Sequence, residues 1–351
     1  MHFAYQFPAV RGIQAGREYY ISMVPLKLLS KLFPSDDEIV APEYRAQRKI
    51  NEARIPEIKK YILENRNNYV FSALSASIDG EFSFVSNDSA DIGVLHVDMD
   101  SVFLINDGQH RKAAIEAAMQ EDESLGKETI SIVFFGDNGL ERSQQMFTDL
   151  NKHAVKTSNS LSTLYDSRDA VAVATKEVIN AVPFFKRFTD KERDILGKNS
   201  GNLFTLNAIY KANLKIVHND NCDAAAVEFL TSYWEIVADN INEWQEVMNR
   251  GLTKKDLREN YIITLAITLT ALGKLGRYFY DNLHVDMKST LKKLQEIDWS
   301  RCNEENWLGR TIREDGKVMN SEEAVTLTCS KIKQLIGVPL GKDEQAKEAQ
   351  R

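Results

Sequence analysis

Two hydrophobic periodicities divide the chain near residue 157. Before that point, short runs of β-branched and aromatic residues alternate with helical stretches. After it, nearly all apolar residues recur at helical spacing. Glu18 to Val24 (EYYISMV) predicts a strand. Pro25 opens a short helix carrying Leu26, Leu28, Leu29 and Leu32, closed by Pro34. Glu43 to Arg66 reads as helix interrupted near Arg54–Pro56, with Ile55, Ile58 and Ile62 in register. Tyr69 to Ile78 and Glu81 to Val85 flank Asp79-Gly80, which predicts a hairpin. Ile92 to Val97 with Val102 to Ile105 predicts a second. Lys112 to Met119 (KAAIEAAM) is alanine-rich and helical, Thr129 to Phe135 reads as a buried strand, and Leu140 to Asn151 as an amphipathic helix.

Beyond Ser158, helical spacing runs through Ser160–Asn180, Leu203–Lys215, Ala224–Asn249, Leu257–Tyr280 and Val285–Gln295. The expected fold class is α+β, with a mixed α/β domain over 1–157, an all-helical domain over 158–340 and a disordered polar tail over 341–351. Trp234, Trp244, Trp299 and Trp307 sit in helical context and are expected in the core.

Composition narrows the class. At 351 residues, 43% hydrophobic and 27% charged, the chain is long enough for about two cores. It is not collagen-like, disulfide-framed or largely disordered. No run of ~18 apolar residues predicts a membrane span, and Met1 to Val10 lacks signal-peptide character. Cys222, Cys302 and Cys329 are odd in number and far apart, which fits a cytoplasmic location. The net charge, 44 − 51 = −7, argues against a basic coat but leaves room for a local basic patch.

The sharpest chemical feature is the strand-turn-helix at Val102 to Met119. Unpaired N–H groups and the positive dipole end of the helix would face Asn106-Asp107-Gly108-Gln109-His110-Arg111. Gly108 would admit a ligand close to the backbone, and phosphate is the usual anion at such a turn. Arg111 could add a guanidinium contact and Asp107 a divalent metal. His110 suits proton transfer near neutral pH. Equally, Asp107 could cap the helix and Gly108 serve only the turn. No GxxxxGK[ST], HExxH or GxSxG motif is present. A second cluster, Arg45, Arg48, Lys49, Arg54, Lys59, Lys60 and Arg66, carries a surplus of four over Glu52, Glu57 and Glu64. It reads as a phosphate-binding face or as a solvated helix laced with Glu–Lys pairs. A third runs from Asp149 through Asn151, Lys152, His153 and Lys156 to Asp166, Arg168 and Asp169. It is either an anion clamp or a polar connection rich in caps.

Asp107 to Arg111 spells DGQHR, the signature of a domain family. With YRAQRKINEARIPEIKKYI upstream and FTDLNKHAVKTSNSLSTLYDSRD downstream, the first ~170 residues resemble the DndB-type accessory proteins of bacterial DNA phosphorothioation. The resemblance implies a ParB/sulfiredoxin-like N-terminal domain. The box would occupy the place of a phosphate-binding motif, although Asp, Gln and His replace the glutamate-arginine chemistry of ParB. It also implies a negative regulator that binds double-stranded DNA at the promoter of the modification genes and carries a nucleotide-hydrolysing site. In that site Asp107, His110 and Arg111 would be catalytic, with Asp107 positioning Mg²⁺ and His110 the attacking water. Gly108, Gln109, Arg48, Arg54, Asn151, Lys152 and Lys156 would bind phosphates. The expected cofactor is Mg²⁺ with an NTP, ATP foremost. Expected partners are DNA, nucleotide, other phosphorothioation proteins and a second copy, with no membrane. The alternatives are a non-catalytic transcriptional repressor and a metal-dependent DNA nickase.

Overall fold

The structure is a computed structural model that describes residues 4–34, 51–88, 90–136, 145–146, 149–150 and 157–350. The chain divides into two compact units, Met1–Val155 and Lys156–Arg351. A seven-stranded sheet with helices in the first and mostly helix in the second make the fold α+β, as the periodicity predicts.

The strands are β1 (Ala4–Gln14), β2 (Arg17–Pro25), β3 (Leu74–Asp79), β4 (Phe82–Ser86), β5 (Ile92–Asp98), β6 (Val102–Asp107) and β7 (Thr129–Gly136). Their order is β4-β5-β1-β2-β7-β3-β6. The β3–β7 pair is parallel and the others are antiparallel. β1 and β2 form a hairpin through Ala15-Gly16, at φ 52° and 74°. Positive φ at both positions matches the twist of the flanking strands.

Neither predicted hairpin forms. β3 pairs with β6 and β7, while β4 pairs with β5. β5 pairs with β1 and β4, not with β6. Only Gly80 and Glu81 separate β3 from β4, yet the two strands lie five places apart in the sheet. Three Cα steps span at most ~11 Å, whereas five spacings of a flat sheet measure about 24 Å. The sheet therefore curls until its two ends approach. Gly80, at φ 141°, sits at this seam, where a Cβ would lie 2.9 Å from Ser101 Cα. Curling brings together Phe7 of β1, Phe103 of β6 and Phe134 of β7, with ring centroids 5.4–6.3 Å apart. Each such ring contributes about 1.5–3 kcal/mol when fully buried, a gain that two local hairpins would forgo.

The described helices of this unit are α1 (Leu29–Leu32), α2 (Ile55–Glu64) and α3 (Gln109–Met119), with helical residues also at 145–146 and 149–150 inside the helix expected over 140–151, whose other residues lie outside the described ones. Pro56 lies in the first turn of α2, where its missing N–H costs nothing. Leu29, Leu32, Ile62, Ile115 and Ala118 join the core under the sheet.

The second unit contains α4 (Asn159–Tyr165), α5 (Ala170–Ala181), α6 (Pro183–Phe188), α7 (Leu206–Ile216), α8 (Ala224–Asp239), α9 (Asn242–Met248), α10 (Lys254–Asn260), α11 (Ala266–Asp281), α12 (Met287–Leu291), α13 (Glu304–Trp307), α14 (Glu322–Ile336) and α15 (Lys342–Ala349). A short parallel pair, β8 (Thr189–Asp190) and β9 (Phe204–Thr205), adds to it. Long predicted helices are cut by their own polar residues. Asp169, for example, accepts the Ala172 N–H and starts α5 afresh. All four tryptophans are fully buried, as expected.

The polar tail expected over 341–351 is instead helix through Ala349. Glu344 accepts from Lys333 Nζ and from the Gly341 N–H, both at 2.8 Å, and Glu348 pairs with Arg310 at 2.6 Å. Composition points to disorder because α15 has little apolar surface. Its docking rests on cations supplied by residues 310 and 333, which the local sequence of the tail does not reveal.

Candidate functional site

β6 ends at Asp107 and α3 begins at Gln109, with Gly108 between them at φ 106° and ψ 14°. That φ strains any L residue, and a Cβ there would lie 2.3 Å from Leu74 Cδ2. Both facts require glycine. A bulge at Ser75/Ala76 in β3 shifts the pairing so that Ser75 faces Asp107, which sets where the turn begins. Among the described residues no side chain caps the first turn of α3. A helix start in general favours an anion through its dipole and its first N–H groups.

The side chains of the box divide between that feature and the chain itself. Arg111 Nη1 donates to Ser72 O (2.6 Å), Ser72 Oγ (2.6 Å) and Ala73 O (2.9 Å). Its Nη2 donates to Asp107 Oδ2 at 2.7 Å. The guanidinium thus latches the segment before β3 to the turn. Asp107 is paired with Arg111 while its side chain stays 45% exposed. His110 Nε2 accepts the Asn51 N–H at 3.0 Å, so its ring proton sits on Nδ1. Gln109 is buried and donates its amide to Ile105 O at 3.4 Å. Just before the box, Asn106 is fully buried. Its Oδ1 accepts from Ser77 Oγ at 2.9 Å, and its Nδ2 has no partner among the described residues. The sequence reading passed over it.

Arg54 is exposed at the end of the Glu52–Arg54 turn and forms no ion pair among the described residues. Other members of that basic cluster are neutralised: Lys59 by Glu121, Lys60 by Glu64 at 3.6 Å, and Arg66 by Asp122 at 2.8 Å and Glu128 at 2.7 Å. Arg48, Asn151, Lys152 and Lys156 lie outside the described residues, as do Arg45, Lys49 and His153. In the third cluster, Asp166 and Asp169 line a cleft of about 320 Å³ with Asn159, Thr163, Tyr210 and Lys211. Both carboxylates accept backbone N–H groups, and Asp169 also takes the Tyr210 hydroxyl at 2.5 Å. Burial and that bond push the Tyr210 phenol upward. Among the described residues no three His, Cys, Asp or Glu side chains are grouped to hold a metal.

A surface that the sequence reading did not single out lies in the C-terminal unit. Lys186, Arg187, Lys191, Arg193 and Lys198 lie on α6 and in the stretch after it, and Lys254, Lys255 and Arg258 on α10. Arg187 Cζ and Lys254 Nζ lie 5.3 and 5.8 Å from the Phe188 ring centroid. Arg258 Nη1 donates to Gly197 O at 3.0 Å, holding α10 against the loop. None of these eight cations pairs with a carboxylate among the described residues. Three neighbouring acids make hydrogen bonds to other groups. Asp190 accepts the Glu192 and Arg193 N–H groups, Asp194 those of Asn159 and Ser160, and Asp256 the Thr253 hydroxyl. Partial burial works upward on Asp190 and Asp194, but the N–H bonds outweigh it and hold both carboxyls below their usual range. Residues 186–198 hold five cations against three acids.

A family model described as DndB, DNA-sulfur modification-associated, matches residues 7–339. No curated protein and no solved structure matches. No helix among the described residues is long and apolar enough to cross a membrane.

Proposed function

The chain belongs to the DndB family of DNA-sulfur-modification-associated proteins, and from that premise we propose that it is a DNA-binding regulatory protein of the phosphorothioation system. It limits expression of the modification genes and carries a nucleotide site at the turn into α3. The observation that carries the DNA-binding reading is the set of eight cations on α6, the stretch after it and α10 that pair with no carboxylate among the described residues, in a chain of net charge −7. A phosphate backbone is the polyanion such a surface suits. The test is a promoter-fragment shift across a salt series. Replacing Arg187, Lys254 and Lys255 by Gln should weaken binding and flatten the slope of log K against log salt by about 2–3. An unchanged slope refutes the assignment.

In the nucleotide site, first-turn N–H groups of α3 and the Arg54 guanidinium receive the phosphates. Asp107 fits a Mg²⁺ carried by an NTP, since that ion takes one or two carboxylates and completes its shell with phosphate oxygens and water. Bound there, the ion would supply charge neutralisation of the phosphates. His110 orients water through a ring whose tautomer the Asn51 N–H sets, and Arg111 positions Asp107. Purified protein should release phosphate from ATP, and Asp107→Asn and His110→Ala should each lose that turnover while staying folded.

The Asp107–Arg111 ion pair and the Arg111 bonds to Ser72 and Ala73 favour a second reading, a non-catalytic repressor in which the box braces the turn. A panel of ATP, CTP and GTP with Mg²⁺, run with and without duplex DNA, separates the two. Plasmid relaxation with and without EDTA sorts both from a nickase.

A further inference from the structure

Part of the outward face of the sheet is apolar. Cross-strand register places Ile92, Val10, Ile21 and Val133 side by side across β5, β1, β2 and β7. The adjacent row runs Val85, Val94 and Pro8, with Met23 next along β2. Beyond the first row, Tyr19 lies over Gly12 and stacks on Phe135 at 5.8 Å. Val10 (51%), Ile21 (38%), Met23 (63%), Val85 (55%) and Ile92 (52%) stay exposed. In antiparallel sheets the solvent face is ordinarily polar, and an apolar patch of this extent marks an interaction site.

We propose that this face is the interface between two copies of the chain, packed sheet on sheet. Three observations select a second copy. The outward positions beside the apolar rows carry no carboxylate: they are Gln6, Ser83, His96 and Ser131, with Arg17 beyond Tyr19 at the end of β2. They offer little to a cationic peptide, and a two-fold axis through the rows keeps Arg17 at the margin. Rows of β-branched side chains on a twisted sheet are complementary to the same rows on another sheet, about 10 Å away and within about 30° of alignment. Finally, the ten residues together present roughly 600–700 Å² per copy, so two copies bury about 1,200–1,400 Å², within the range of stable specific interfaces. This surface and the cations near Phe188 belong to different units of the chain, so the proposal does not depend on the DNA-binding reading.

Sedimentation equilibrium of the full chain tests it. The expected mass is twice 39.9 kDa. Ile21→Lys, whose stem can lie along the sheet with its head in solvent, should convert the protein to a folded monomer with an unchanged circular dichroism spectrum and a melting temperature that no longer depends on concentration. Ile21→Val should stay dimeric, as should Ile195→Lys, a change at a residue 85% exposed in the other unit. Monomeric wild-type protein at 100 µM overturns the proposal. So does an Ile21→Lys, Met23→Lys protein that remains dimeric. A monomeric wild type that Ile21→Lys destabilises would instead assign the face to the chain's own C-terminal unit and equally overturn it.

Discussion

Removing the Arg111 side chain tests whether the box braces its own turn. Nη1 carries two hydrogens for three acceptors, Ser72 O, Ser72 Oγ and Ala73 O, at 2.6–2.9 Å. It therefore makes about two full charge-assisted bonds, each worth roughly 1.5–3 kcal/mol when shielded from water. The guanidinium side chain is 17% exposed, so about half of that is a reasonable yield. The bond to Asp107, whose side chain is 45% exposed, adds only about 0–1 kcal/mol because solvent screens it. Arg111→Ala should thus destabilise the N-terminal unit by about 2–4 kcal/mol. With a urea slope near 2 kcal/mol per molar, its midpoint falls by about 1–2 M. Arg111→Lys should cost most of this, since an ammonium cannot span the Ser72–Ala73 carbonyls and Asp107 together. Unfolding is followed by tyrosine fluorescence and far-ultraviolet circular dichroism, alongside ATP turnover. A midpoint unchanged in Arg111→Ala refutes the latch. Turnover lost with an unchanged midpoint would place the guanidinium on substrate instead.

Gly108→Ala combines a strained φ with a clash on Leu74, so it should cost about 2–4 kcal/mol; a loss under 0.5 kcal/mol would show that the turn relaxes freely. Glu344→Ala leaves Lys333 buried without its partner and should cost about 3–5 kcal/mol. Trypsin should then cut faster at Lys342 and Lys347, and unchanged cleavage would show that α15 docks by other means. Burial pushes the Cys329 thiol up to about 12, while the unfolded thiol titrates near the ordinary value. Its contribution to stability is therefore complete below about pH 9 and fades as pH rises from there toward 12. Native protein at pH 8 should react with a thiol reagent at Cys302, which is exposed, and at Cys329 only on unfolding. Rapid native labelling of Cys329 contradicts its burial.

The α+β class, the core tryptophans and the strand-glycine-helix at Val102–Met119 were all legible in the sequence. Each depends on residues a few positions apart, whose spacing is the physical signal. The hairpins were misread for the opposite reason. Asp79-Gly80 states that the chain turns, but not which strand lies beside the next. β1 lies in the middle of the sheet despite Pro8, a residue that usually marks an edge. Of the box, the glycine and the uncapped helix start could be anticipated. The engagement of Arg111 could not, because Ser72 and Ala73 stand 39 and 38 residues away.

By itself the sequence determined where the backbone is stiff, where it must turn and which faces are apolar, because these are properties of near neighbours. Only the tertiary structure decided which charges remain uncompensated. An ion pair forms or fails over a few ångströms, and the chain brings Lys333 to Glu344 while Arg187 and Lys254 pair with no carboxylate among the described residues. The same holds for the sheet. Its apolar alternation was written in the strands, but curling gave the inward rows a core and left the outward rows for something else to cover.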